Sequence, residues 1–166
     1  MRPLPLALAG LLSVVCCADE LPSAQTEVYF CQEGGCVERA LGLATEAEGS
    51  LWVAMYSFTH DELAQGLAAA AGRGVEVFVL LERSQASPVV RVLTEGGVSV
   101  RLDGNGKAMH HKFAVVDDRL VATGSFNWTV NGAFQNDENL VVLHSEEVAG
   151  RFATEFLRVW EEGSEP

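Results

Sequence analysis

Two hydrophobic periods alternate along the first hundred residues. Thr26 to Phe30 reads as a strand, and Val37, Ala40, Leu41 and Ala44 then recur at helical spacing up to Glu48-Gly49. Leu51 to Phe58 is almost continuously apolar, as strands covered on both faces are. Asp61-Glu62 opens a helix bearing Leu63, Leu67, Ala68 and Ala71, which Gly72 and Gly74 stop. Val75 to Leu81 is a further strand, Ser87-Pro88 caps a short helix running to Gly96-Gly97, and Val98 to Leu102 is again a strand. This alternation predicts crossover connections, hence an α/β fold with a mixed, largely parallel β-sheet flanked by helices.

The second half changes pattern. A loop at Asp103 to Gly106 precedes a strand from His111 to Val116, a tight turn at Asp118-Arg119 and a returning strand from Leu120 to Thr123. An irregular Gly- and Asn-containing stretch leads to a strand at Asn139 to Leu143. The final helix begins at Ser145, with Glu146 and Glu147 in its first turn and Val148, Phe152, Phe156 and Trp160 on its apolar face. No segment repeats, so residues 19–166 read as one domain.

Residues 1–18 read differently. Arg2 precedes an apolar run from Leu4 to Cys17, too short to span a bilayer, that ends at Ala18 before Asp19-Glu20. This is the pattern of a signal peptide cleaved near Ala18, which predicts export; the alternative is an uncleaved membrane anchor over residues 4–17. Cys31 and Cys36 then remain as a pair around Gln-Glu-Gly-Gly. In an oxidising compartment they are a disulfide candidate, with two free thiols or half of a metal site as the other readings.

Charge narrows the functional classes. The full chain carries 11 basic and 23 acidic residues among 166, a formal charge of −12, and removing residues 1–18 takes away Arg2 and no acid, giving −13. Only two lysines exist, Lys107 and Lys112. This argues against a broad cationic face for nucleic acid or anionic lipid, because sequence-independent phosphate binding depends on many Lys and Arg contacts.

The candidate chemistry lies between His110 and Glu138. His110, Lys112 and Asp117 fit the pattern H-x-K-x4-D, and residues two apart on a strand share a face, so an imidazole and an ammonium share one site. Gly124-Ser125-Phe126-Asn127 follows at the far end of the hairpin, then Asn136-Asp137-Glu138-Asn139. Together these segments resemble the phospholipase D superfamily, whose signature is the HKD motif followed by G-S-x-N. Met109 to Asp117 and Gly124 to Thr129 look most like its small single-motif members, the bacterial nonspecific endonucleases and the mitochondrial cardiolipin hydrolases.

The resemblance implies phosphodiester hydrolysis with His110 as nucleophile, forming a phosphohistidine. Lys112, Ser125 and Asn127 would cradle the phosphate, Glu138 would orient the imidazole, and Asp117 would hold the hairpin or tune a neighbouring charge. One histidine cannot serve as nucleophile and opposing acid together. A homodimer with the site on its two-fold axis supplies the second, and the scheme requires no cofactor or metal.

Other groups have blander readings. His111 points to the opposite sheet face, and His60 and His144 stand at strand ends as surface or capping histidines. Phe126 and Trp128 could meet a base or an acyl chain, although core packing of at least one is expected for residues this large. A zwitterionic phospholipid needs no extended cationic track, so charge ranks a phospholipid head group slightly first. A metal-independent endonuclease is the alternative, and a non-catalytic anion-binding module the second.

Overall fold

A computed structural model describes residues 25–85 and 88–166. The signal-peptide reading and the Ser87 cap lie outside these residues. The apolar runs become β1 (Thr26–Phe30), β2 (Ser50–Met55), β3 (Glu76–Leu81), β4 (Ser99–Leu102), β5 (Lys112–Val116), β6 (Leu120–Gly124) and β7 (Asn139–His144). The helices are α1 (Gly35–Glu46), α2 (Asp61–Gly72), α3 (Val89–Glu95), α4 (Val130–Phe134) and α5 (Glu146–Glu162). No described helix is long and apolar enough to cross a membrane.

The described strands form one sheet in the order β1-β7-β6-β5-β2-β3-β4. It is mixed and flanked by helices, as expected, but the parallel share is smaller than the alternation implied. Only β2 with β3 and β3 with β4 pair parallel; β1–β7, β7–β6, β6–β5 and β5–β2 are antiparallel. The physical reason is connection length: crossover helices α2 and α3 link the parallel strands, whereas β5 and β6 are joined by three residues, Asp117 to Arg119, a turn that only antiparallel neighbours permit. That turn centres on Asp117 and Asp118, both at positive φ (49° and 52°), one residue earlier than expected, and the Arg119 N–H closes it on Val116 O.

Two apolar layers cover the sheet. The larger joins α1, α2 and α3 to one face through residues such as Leu43, Leu67, Leu93, Val53 and Val79. The other lays α5 on the opposite face, where Phe156 stacks on Trp52 (5.4 Å) and Trp160 meets Phe78 edge-on (5.4 Å). Fully buried Phe156 contributes about 2 kcal/mol, and the partly buried Trp52, Phe78 and Trp160 less. The Ser145 hydroxyl accepts from Val148 N–H and caps α5, as its position predicted. Within the irregular stretch the Thr129 hydroxyl likewise caps α4, a short helix the pattern did not show.

Phe126 and Trp128 are both buried, Trp128 packing edge-on against Phe58, so neither is presented to a ligand. His111 lies on the α5 side and pairs with Glu155 (3.1 Å). His144 meets the Glu27 carboxylate (2.6 Å), which also accepts from Tyr29 and Arg39. Burial works to raise the Glu27 pKa, but these hydrogen bonds outweigh it and hold it at about 2.

Candidate active site

Because β5 runs antiparallel to β2, the start of β5 and the end of β2 fall at the same sheet edge, with Lys112 opposite Met55. The end of β6 and the start of β7 reach that edge too, where Gly124 faces Leu140. His110 and Lys112, the Ser125 and Asn127 loop, and Glu138 therefore gather there from segments far apart in sequence.

His110 stands just before β5, and its backbone is held on both sides. The Met109 N–H donates to Glu82 Oε2 (2.7 Å), and the Tyr56 N–H donates to His111 O (2.8 Å). The Tyr56 ring lies 4.2 Å from the imidazole, centroid to centroid. Lys112 Nζ sits 3.2 Å from His110 Nδ1, donates to His110 O (3.0 Å) and lies 5.0 Å from the Tyr56 ring centroid. Burial pushes the Lys112 ammonium below the ordinary lysine range, and the nearby Glu138 carboxylate opposes that shift.

The Gly124-Ser125 step is possible only with glycine. Gly124 has φ 157°, and a Cβ there would collide with the Asn139 carbonyl oxygen. The close approach lets Ser125 Oγ accept from both Asn139 N–H (3.2 Å) and Asn139 Nδ2 (3.3 Å). Asn127 Oδ1 is buried with no hydrogen-bond partner among the described residues. Glu138 accepts from Asn136 (3.2 Å), and its carbonyl accepts from the Cys31 N–H (3.0 Å). Cys31 and Cys36 are joined as a disulfide, and Gln32 beside them donates to Asp137, so this loop braces the segment carrying Glu138.

Asp117 is not brought to the site. It lies at the opposite end of β5, about 17 Å from Lys112 at the rise of a strand. Its carboxylate accepts from the backbone N–H groups of Glu48 (3.1 Å), Gly49 (2.8 Å) and Ser50 (2.8 Å), tying the hairpin turn to the start of β2. Of the two roles the resemblance implied for Asp117, its distance from Lys112 and its three backbone contacts fit the hairpin-holding one.

Three residues at this edge lie outside the HKD and G-S-x-N motifs. Tyr56 was legible as part of the apolar run Leu51 to Phe58 and of the segment Tyr56-Ser57-Phe58-Thr59, which resembles the phospholipase D superfamily too, and its place beside His110 follows from the β2–β5 register. Phe30, 76 % exposed, ends β1 opposite Asn139. Glu82 is a charged residue directly after an apolar strand, a signal that marks a strand end without saying what it grips.

An exposed imidazole beside a lysine ammonium, with a carboxylate within electrostatic reach, suits an anion with several oxygens, and on a mixed α/β sheet it points to a phosphoryl-handling class of protein. Residues 41–160 match the family described as cardiolipin synthase, PLD-like domain. The mitochondrial cardiolipin hydrolase of Xenopus laevis is 33% identical over 165 residues, covering 97% of this chain and 79% of that protein. That of Canis lupus familiaris is 31% identical over 163 residues, covering 90% and 64%. The crystal structure of Nuc from Salmonella typhimurium, a phospholipase D family member, superposes with a TM-score of 0.80 at 28% identity over 85% of this chain and 97% of that one. The chain belongs to the phospholipase D superfamily, in its single-motif branch. It spans under two thirds of the length of the dog relative.

Proposed function

We propose that the protein is a phospholipase D-type phosphodiesterase that acts through a phosphohistidine on His110, with a phospholipid as first-ranked substrate. The observation that carries this reading is the His110–Lys112 pair at an open sheet edge, held against Tyr56 and facing the Ser125 and Asn127 loop. His110 Nε2 attacks phosphorus, the bond to the leaving oxygen breaks, and that oxygen takes a proton from an opposing acid. Water then attacks the phosphohistidine and restores the imidazole.

The geometry suggests how substrate starts this sequence. An ammonium only donates, so Lys112 at Nδ1 favours the tautomer with its proton on Nε2, which does not attack. A phosphate that draws Lys112 Nζ to itself frees Nδ1 to carry the proton, and Glu138, within electrostatic reach of Lys112, is the carboxylate suited to accept it. The opposing acid is His110 of a second copy, which makes the homodimer part of the reading. Lys112 and that imidazolium supply the positive charge.

A formal charge of −12 on the whole chain and an exposed Phe30 beside the site favour a lipid over a polyanion. The similarity to Nuc keeps nucleic acid as the second reading. The Cys31–Cys36 disulfide supports an exported protein. The test gives purified protein, in EDTA and with His110→Ala alongside, single-stranded DNA, RNA and mixed phospholipid vesicles. Head-group release by the wild type alone is expected. Nucleic-acid cleavage without lipid turnover would overturn the substrate ranking, and full activity in His110→Ala would overturn the nucleophile.

A further inference from the structure

Glu82 is a buried carboxylate, 6 % exposed, that the chemistry above does not use. It follows β3 directly, and its own N–H reaches Met55 O (3.4 Å) at the end of β2. Its two oxygens do different things. Oε1 accepts from Ser84 N–H (3.0 Å), fixing the carboxylate to its own turn, while Oε2 accepts from Met109 N–H (2.7 Å), across 27 residues of chain. The same turn grips the other end of the connecting loop: Asp103 N–H donates to Leu81 O (2.8 Å), and Arg83 Nε donates to Asp103 O (2.9 Å). The loop between Asp103 and Met109 is thus pinned at both ends to the end of β3, and its last pinned atom is one residue before His110.

The imidazole itself is exposed, and among the described residues its side-chain contacts are Tyr56 and Lys112. Lys112 must move to a substrate phosphate. When it does, the direction of the ring depends on the backbone, fixed by Tyr56 N–H on one side and Glu82 on the other. An ionised hydrogen bond of this length is about twice as strong as a neutral one, and in-line attack tolerates little misplacement.

We propose that Glu82 is a positioning residue that sets the attack geometry of His110 by holding the Met109 N–H. The inference rests on the nucleophile role proposed for His110. Ser125 and Asn127 stand on a different connection, so loss of the Glu82 contact disturbs attack more than phosphate binding.

The experiment measures kcat and KM separately on bis(p-nitrophenyl) phosphate for wild type, His110→Ala, Glu82→Gln and Glu82→Asp, each corrected for its folded fraction. Glutamine keeps the shape but offers one acceptor oxygen for two N–H donors, and aspartate keeps the charge but falls one methylene short. Glu82→Gln is expected to lower kcat about tenfold or more with KM within about threefold, and Glu82→Asp to recover part of the loss. Unchanged kcat in folded Glu82→Gln, or a rise in KM that accounts for the whole effect, overturns the proposal. Should Glu82→Gln fail to fold, Glu82→Asp decides alone: a lowered kcat at constant KM supports the proposal and a wild-type kcat overturns it. Wild-type rates in His110→Ala would instead remove the nucleophile reading and the positioning role with it.

Discussion

Asp117 and Lys112 belong to one motif yet do unrelated work. The lysine is half-buried beside His110, whereas the aspartate binds three backbone N–H groups at the far end of the strand. Asp117→Ala is therefore expected to leave kcat of the folded protein within about twofold and to remove about 2 kcal/mol of stability, measured by urea unfolding at pH 7. The pH dependence has a definite sign. Burial tends to raise the Asp117 pKa, but the three donors and Arg119 outweigh it and hold it below the ordinary range. A depressed folded-state pKa gives stability that is complete above the unfolded value of about 3.9 and lost as pH falls through the folded value. The gap between wild type and Asp117→Ala should thus shrink below about pH 4, and a gap of constant size down to pH 2 would contradict the assignment. Motif spacing alone could not make this distinction, because Lys112 and Asp117 are both polar groups at the ends of one apolar strand.

Among the elements, the connection from β1 to α1 carries more than its length suggests. Both cysteines of the Cys31–Cys36 disulfide are fully buried, and the segment they close donates to Glu138 and Asp137. Cys36→Ser should lose about 2 kcal/mol by the loop-entropy estimate for so short a ring, seen as a thermal midpoint that falls by several degrees and no longer responds to reductant. Most elements were legible because apolar spacing differs between helix and strand; Asp61–Gly72 and the Ser145 cap fall where expected. Boundaries set by neighbours were not. The apolar run Leu51 to Phe58 stops being a strand at Met55: past the Met55–Lys112 pair the Tyr56 N–H still donates to His111 O, and Phe58 then bridges to Trp128 instead. Strand direction was hidden for a related reason. Strands β5 to β7 are covered largely by apolar layers on both faces, which is the pattern that parallel strands also show.

At the level of the whole molecule, the site is an open edge rather than an enclosed cavity, and all its motif residues except Asp117 meet there. That His110, Lys112, Ser125, Asn127 and Glu138 belong together could be expected from sequence because their order resembles the phospholipase D signature. Tyr56 and Glu82 could not, since their roles arise from register and from a hydrogen bond spanning 27 residues. The proposed dimer makes a countable prediction. If two copies of His110 serve one cleft, refolding wild type with an equal amount of His110→Ala leaves about one quarter of the all-wild-type rate per total chain, while independent sites leave about one half. The hairpin also gives the motif a second meaning. Lys112 opens β5 and Asp117 sits in the turn that closes it, so the residues between them act as a ruler that measures one strand against the width of the sheet. One added residue would turn Lys112 to the opposite face or force a bulge, and two would keep the face but push the site past the edge where β2, β6 and β7 deliver their parts.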